Sequence, residues 1–487
     1  MLDYTRTLVG SQPKQRYLLA DSAFTQDSTE SADNKDMLDL GRDVFVNRSV
    51  VLDSGRSISA YRLSFLMVPA HADNGTVAKP DVQHLASILE SIGPDIIAGE
   101  RATFVRVDEP LDNLRINEKW KTRIILDVPF SNVQRGNGDA SEGRGDEKPR
   151  LCIGDIPVLE DAIPLLPFPC HLKLDPHGLS AAELSKAMSV LKGLPVVTVA
   201  TAVDTPERFD ACVRAGFDLF EGEFFAKPPV SGQKAISPNH LLLLELSART
   251  SREEDVDAIE AIFKKNPDLS FGLLNLVNSA FFRVSEHIAS IRQAIALLGY
   301  QNLHKWVALM LFSINHADPS SNPLFDRALI RARTMEFAAA GQSDKVQGDA
   351  AYMTGIFSLV PTLFGLSLEK ILEKVNFPDG IKDALLKRSG KLGLLLDTAE
   401  GLERGEYNDG GKPPVELGIS LVDLLSAQTR AIMDSELETF KTKAACAQNR
   451  PQSVGPKEAS SQPSGDDRIR KKPSLFRRIL ARLGFRK

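Results

Sequence analysis

Long hydrophobic runs are missing from this chain. No apolar stretch reaches the ~18 residues of a membrane span, so a membrane-crossing helix is not expected. Nothing near Met1 reads as a secretory leader, and a cytoplasmic address is the expectation. Cysteine is scarce: Cys152, Cys170, Cys212 and Cys446 lie far apart and form no CxxC pair. That argues against a zinc ribbon, a dithiol redox motif and a disulfide framework, and leaves buried or idle thiols. No His-Asp dipeptide occurs among the eight histidines, which excludes the metal-dependent HD type of phosphohydrolase. His71 and His316 each stand two residues before an aspartate, in loop-like surroundings, where solvated or capping roles are expected. Neither sign of charge dominates: the net value is −5, so the molecule as a whole is not a polyanion binder.

What the chain does have is apolar material, 43% of 487 residues, enough for two or three domains. Residues 1–42 are polar, lack sustained periodicity and are expected to be disordered. From Asp43 the pattern changes. VFVNRSVVLD and SISAYRLSFLMV read as two strands joined at Asp53-Ser54-Gly55, a hairpin signal. Strand-like and helix-like stretches then alternate as far as DLFEGEFF, which predicts parallel pairing through crossovers and a (β/α) barrel over residues 43–230. One crossover is anomalous. NVQRGNGDASEGRGDEKPR is rich in glycine and charge and lacks the apolar stripe of a covering helix, so it reads as a flexible insertion.

Past a proline-rich linker the pattern turns helical throughout. LLLLELSART, EEDVDAIEAIFKKNP, LSFGLLNLVNSAFF, SIRQAIALLGY and NLHKWVALMLFSIN space apolar residues by three and four. Further helices follow, ending in a long one near 416–440. Residues 236–440 carry their own apolar faces and are expected to fold alone, with few essential contacts across the linker. Trp306 and the group Phe271, Phe281 and Phe282 read as core.

Residues 441–467 read as a disordered linker. Residues 468–487 carry nine Lys/Arg and no acid. Among them Arg470, Lys471, Lys472, Arg477, Arg478 and Arg482 flank Leu475, Phe476, Ile479, Leu480 and Leu483, which share one face if the segment is helical. A basic amphipathic helix suits an anionic membrane surface and would make the protein peripheral at the inner membrane. A partner's groove, nucleic-acid contact and an unstructured tail are the competing readings, and nucleic acid is not the expected partner.

PDLSFGLLNLVNSAFF, then IASIRQAIALLGYQNLHKWVAL, DAAYMTGIFSLVPTLFG and LLDTAEGLERGEY closely resemble the HDOD domain, in family order over roughly 236–410. VFVNRSVVLDSGRSISAYRLSF and VDTPERFDACVRAGFDLFEGEFFAKP resemble the opening hairpin and closing βαβ of an EAL domain. Together they are similar to EAL–HDOD signalling proteins. The fold class implied is α/β plus all-α: a degenerate EAL-type barrel, an all-helical HDOD domain and disordered termini.

An active EAL enzyme holds two divalent metals on acidic residues and an asparagine, and cleaves cyclic di-GMP with a metal-activated water. This chain departs from that pattern. The name-giving glutamate falls at Arg62, the asparagine at Arg106 and the next glutamate at Asp127, the last two alignments holding to within one residue. The Asp-Asp pair is Gly154-Asp155, a further glutamate falls at Thr201 with Asp204 keeping an acid nearby, and the final glutamine is Glu221. Lys173 matches the family lysine. Guanidinium groups where ligands belong repel Mg²⁺. No metal, cofactor or catalysis is therefore expected. Arg62 and Arg106 either fill an eroded pocket by pairing with Asp127 or Asp155, or persist with Lys173 and Asp204 as an anion or nucleotide site. The function implied is a non-enzymatic adaptor that binds protein partners in a cyclic-di-GMP-related pathway. The alternative is a receptor that binds cyclic di-GMP without cutting it, and an active phosphodiesterase ranks last.

Overall fold

The computed structural model describes residues 43–446 except 70–76, 93–96, 110–122, 136–149, 168, 178, 228–236, 279–286, 314–318, 341–347, 373–376 and 408–410. Eight strands close a barrel in sequence order: β1 Val44–Asp53, β2 Ile58–Met67, β3 Ala102–Arg106, β4 Ile124–Pro129, β5 Arg150–Gly154, β6 Cys170–Leu174, β7 Val196–Ala200 and β8 Leu219–Phe220. From β2 onward neighbours are parallel, whereas β1 runs antiparallel to both β2 and β8. The hairpin arises where the sequence signals it. The Asp53 carboxylate accepts the amides of Gly55 and Ser57, both at 2.9 Å, and Arg56 takes the left-handed backbone.

Covering helices include Val82–Ile92, Ala181–Leu191 and Pro206–Ala215, the last two started by the caps Ser180 and Thr205. The described residues after β4 form the six-residue helix Phe130–Arg135, and residues 136–149 of the glycine-rich insertion lie outside the described ones.

The remaining described chain is helical. The segment Ile291–Ser313 breaks at Gly299, whose φ of 76° belongs to neither flanking helix, so Gly299 ends the first of them. Asn278 turns the chain after the helix Pro267–Val277: its amide donates to the carbonyls of Leu274 and Ile288 at 2.9 and 2.7 Å and accepts from the Ile288 N–H at 2.8 Å. Trp306 is buried and stacks on Phe263 with ring centroids 6.4 Å apart. Phe271 is 43% exposed, a correction to its reading as core; the helix Pro267–Val277 buries Leu269, Leu273 and Leu276 on its other side. Phe281 and Phe282 lie outside the described residues.

The expectation of few contacts across the linker is overturned. β1 is buried on both faces because the helices Pro323–Ala340 and Leu421–Cys446 lie against the barrel there. Phe45, Leu66 and Val77 belong to the apolar cluster of the helical half, and Ile330, Ala431 and Ile432 belong to that of the barrel. Arg48 of β1 donates to Asp326 at 2.6 Å and to Ser435 at 2.9 Å, and its guanidinium lies 4.2 Å from the centre of the Tyr61 ring. Thr429 accepts the Val46 N–H at 3.0 Å. The linker pattern carries no trace of this, since linker composition reports local flexibility and the docked faces are far away in sequence.

Candidate functional site at the barrel mouth

Parallel strands bring their C-terminal ends to one face, where loops present side chains from several strands together. Here that face carries charge. Arg106 at the end of β3 stands opposite Asp127 of β4 in the strand register, and Arg62 comes from β2. A small apolar cluster of Val51, Ala60, Phe104, Ile125, Cys152 and Val199 fills the barrel interior. Phe104 also meets the His171 ring edge-on at 5.5 Å, and burial pushes that histidine down to about 4.

Asp127 is the hub. Its side chain is fully buried and accepts from the Arg62 guanidinium and from Lys173 Nζ at 2.8 Å, with Arg106 3.6 Å away. Burial alone would raise the Asp127 carboxyl; the charges of Arg62 and Lys173 outweigh it and hold the group below the usual carboxylate range. Arg62 also forks onto Glu221, through Nε at 3.1 Å and through one terminal nitrogen. Burial would lower the Arg62 guanidinium, but Glu221 and Asp127 push it up, so it stays charged. Arg106 reaches outward to Asp108 at 2.5 Å and Asp155 at 2.9 Å. Asp155 and Ala202, just after β5 and β7, are held in left-handed backbone, which costs on the order of 1 kcal/mol or more at each such residue.

The structure thus brings Arg62, Arg106 and Lys173 together around Asp127, and the pairing read from the sequence is the arrangement found. Asp204 stands apart: it is exposed and accepts the Glu223 N–H at 3.1 Å. Glu221 is the member that sequence reasoning missed. In the sequence it reads only as a replaced glutamine, although a carboxylate in place of an amide near a new arginine is the signature of a compensating ion pair. Gly154 adds no donor, and a side chain there would press on Lys173, whose Cδ lies 3.3 Å from the ideal Cβ position. The residues present do not fit a two-metal centre: of the family's ligand positions, Arg62, Arg106 and Gly154 bear no carboxylate, and Asp127 is already taken by two cations. Among the described residues no three His, Cys, Asp or Glu side chains gather as a metal-binding group. Cys152, Cys170 and Cys212 are buried free thiols. The basic tail from Arg468 on, with Arg470, Leu475, Leu480 and their neighbours, lies outside the described residues. Within them no helix is long and apolar enough to cross a membrane.

Comparison with known proteins finds a family match in the helical half. Residues 240–366 match the HDOD domain family, so the helical half contains an HDOD domain. The chain therefore joins a closed eight-stranded barrel to a helical region that carries the HDOD match. It is 31% identical over 266 residues to the cyclic di-GMP phosphodiesterase CdgJ of Vibrio cholerae, a match covering 53% of this chain and 60% of that protein. It is 26% identical over 381 residues to the uncharacterized protein YuxH of Bacillus subtilis, covering 75% of this chain and 92% of that one. Among solved structures, the EAL domain of Xanthomonas citri FimX in complex with c-diGMP aligns at 16% identity with a TM-score of 0.29, over 38% of this chain and 88% of that one.

Proposed function

We propose that this chain is a non-enzymatic signalling protein of a cyclic-di-GMP-related pathway, acting through protein partners of its HDOD domain and its EAL-like barrel. The observation that carries the reading is the ion-pair cluster at the barrel mouth. Asp127 and Glu221 are neutralised by Arg62 and Lys173, so the negative charge that would draw two divalent ions is already spent. Similarity to a relative named as a cyclic di-GMP phosphodiesterase supports the pathway. The test is incubation of the pure full chain with cyclic di-GMP and Mg²⁺ or Mn²⁺. No linear dinucleotide is expected above a metal-free control, and steady metal-dependent turnover would overturn the reading.

A second reading, binding of cyclic di-GMP without hydrolysis, is favoured by one observation. Arg106 and Lys173 keep part of their side chains exposed at the mouth, and the outer partners of Arg106, Asp108 and Asp155, are themselves solvent-exposed. Exposed ion pairs are weak, on the order of 0–1 kcal/mol, so a phosphate can compete for that guanidinium. Calorimetric titration with cyclic di-GMP, with and without Mg²⁺, separates the two: metal-independent heat of binding selects the receptor, and its absence leaves the adaptor.

A further inference from the structure

Glu221 and Glu223 flank a single glycine and point their carboxylates at two different arginines. Glu221 forks onto Arg62 at the barrel mouth. Glu223 forks onto Arg327 of the helix Pro323–Ala340, at 2.5 and 2.9 Å. Arg327 continues to Glu403 at 3.3 Å; Glu403 is shared with Arg331, at 2.6 Å, and Arg331 reaches Glu400 at 2.9 Å. Both glutamates belong to the helix Gly390–Glu403, so one run of ion pairs crosses from the last barrel strand into two helices of the helical half.

The segment between the two carboxylates is stiff. Gly222 has φ 148°, and a Cβ there would stand 2.1 Å from the Val203 carbonyl oxygen, so no larger residue fits. Val203 N–H donates to the Glu221 backbone carbonyl at 2.9 Å, Phe224 N–H donates to the Val203 carbonyl at 3.2 Å, and the Asp204 carboxylate accepts the Glu223 N–H at 3.1 Å. Beyond Glu223, Phe225 lies under the Arg327 guanidinium at 4.9 Å, and the Ala226 carbonyl accepts from the Thr362 hydroxyl at 2.8 Å. With its backbone pinned at both ends, the segment carries a backbone displacement at Glu221 on to Glu223.

We propose that Glu221-Gly222-Glu223 is a lever that couples the Arg62 ion pairs of the barrel mouth to the buried Arg327–Glu403–Arg331 network, so that withdrawal of Glu221 from Arg62 loosens the helices Pro323–Ala340 and Gly390–Glu403. The proposal rests on the binding reading above and gives it an output: an event at the mouth that takes the Arg62 guanidinium changes the helical surface offered to partners.

Amide hydrogen exchange on the full chain, without nucleotide, tests it. Glu221→Gln is expected to speed exchange in both helices by about 5-fold or more, the lower end of ordinary coupling between sites. Arg106→Gln, which disturbs the same mouth without touching Glu221, is expected to leave them within about twofold. Arg327→Met speeds the same amides, and adding Glu221→Gln to it is expected to give less than the product of the two single effects, because the two act through one connection. Effects of Glu221→Gln confined to the barrel, equal effects of Arg106→Gln, or independent effects in the double variant would each overturn the lever. Since no nucleotide is present, these outcomes are separate from the calorimetric titration with cyclic di-GMP, which decides the binding reading.

Discussion

Replacing Arg48 with methionine removes the cation at the centre of the contact between β1 and the helical half while keeping most of its aliphatic bulk. The Arg48 side chain is fully buried, and it donates to Asp326 at 2.6 Å, to Ser435 at 2.9 Å and to the Ile97 carbonyl at 2.5 Å. In the variant Asp326 stays in place with the Tyr61 hydroxyl, at 3.2 Å, still donating to it. A buried carboxylate that loses its cation typically costs about 3–5 kcal/mol. The surviving Tyr61 bond argues for the lower part of that range, and the two orphaned acceptors argue against anything smaller. About 3–4 kcal/mol is therefore expected, read by urea unfolding of the full chain at pH 7.5 followed by circular dichroism. Adding Asp326→Leu removes the stranded charge and is expected to restore at least about 2 kcal/mol, because an apolar replacement of a whole buried pair is often neutral or better. A loss under about 1 kcal/mol in the single variant, or a double variant no more stable than the single, would refute the argument that this pair is a desolvated link between the two halves.

Other outcomes follow from the same packing and from the sequence. His171 and His304 are both buried and pushed down to about 4, so the folded chain keeps them neutral while the unfolded chain protonates below its ordinary value near 6.5. Stability is thus lost as pH falls from about 6.5 toward 4, by roughly 2 kcal/mol per histidine at pH 5, and a urea midpoint unchanged between pH 7.5 and 5 would contradict this. A fragment of residues 236–440 is expected to be insoluble or to unfold without cooperativity, since Ile330, Ala431 and Ile432 lose their barrel partners; each buried isoleucine accounts for about 1.5–3 kcal/mol, and a sharp, reversible transition of the fragment would show the contact to be dispensable. The basic tail is expected to hold the full chain on anionic vesicles, with each cation contributing on the order of 1 kcal/mol; Leu480→Glu or a chain ending at Asp467 should bind less, and equal sedimentation of all three would remove the membrane role.

Much of this architecture is legible in the order of residues. Alternation in VFVNRSVVLD and SISAYRLSFLMV, with Asp53 and Gly55 between them, specifies the hairpin because strand period and turn chemistry are local properties. The three-and-four spacing of the second half does the same for its helices, and Gly299 marks a break that any residue with a Cβ would resist. Arg62 and Arg106 signal a mouth that has changed its chemistry, since charge type is written in the residue itself. Partner choice is another matter. Asp326 lies 278 residues from Arg48, and Arg327 lies 104 from Glu223. Nothing in the neighbourhood of either arginine says which carboxylate it will meet. The apolar face of Leu421–Cys446 announces that it will be covered, but not that part of the cover is β1. Periodicity fixes which side of an element is buried; only packing of the whole chain decides what it is buried against, and so it is the three-dimensional fold that sets residues of each half into the apolar cluster of the other.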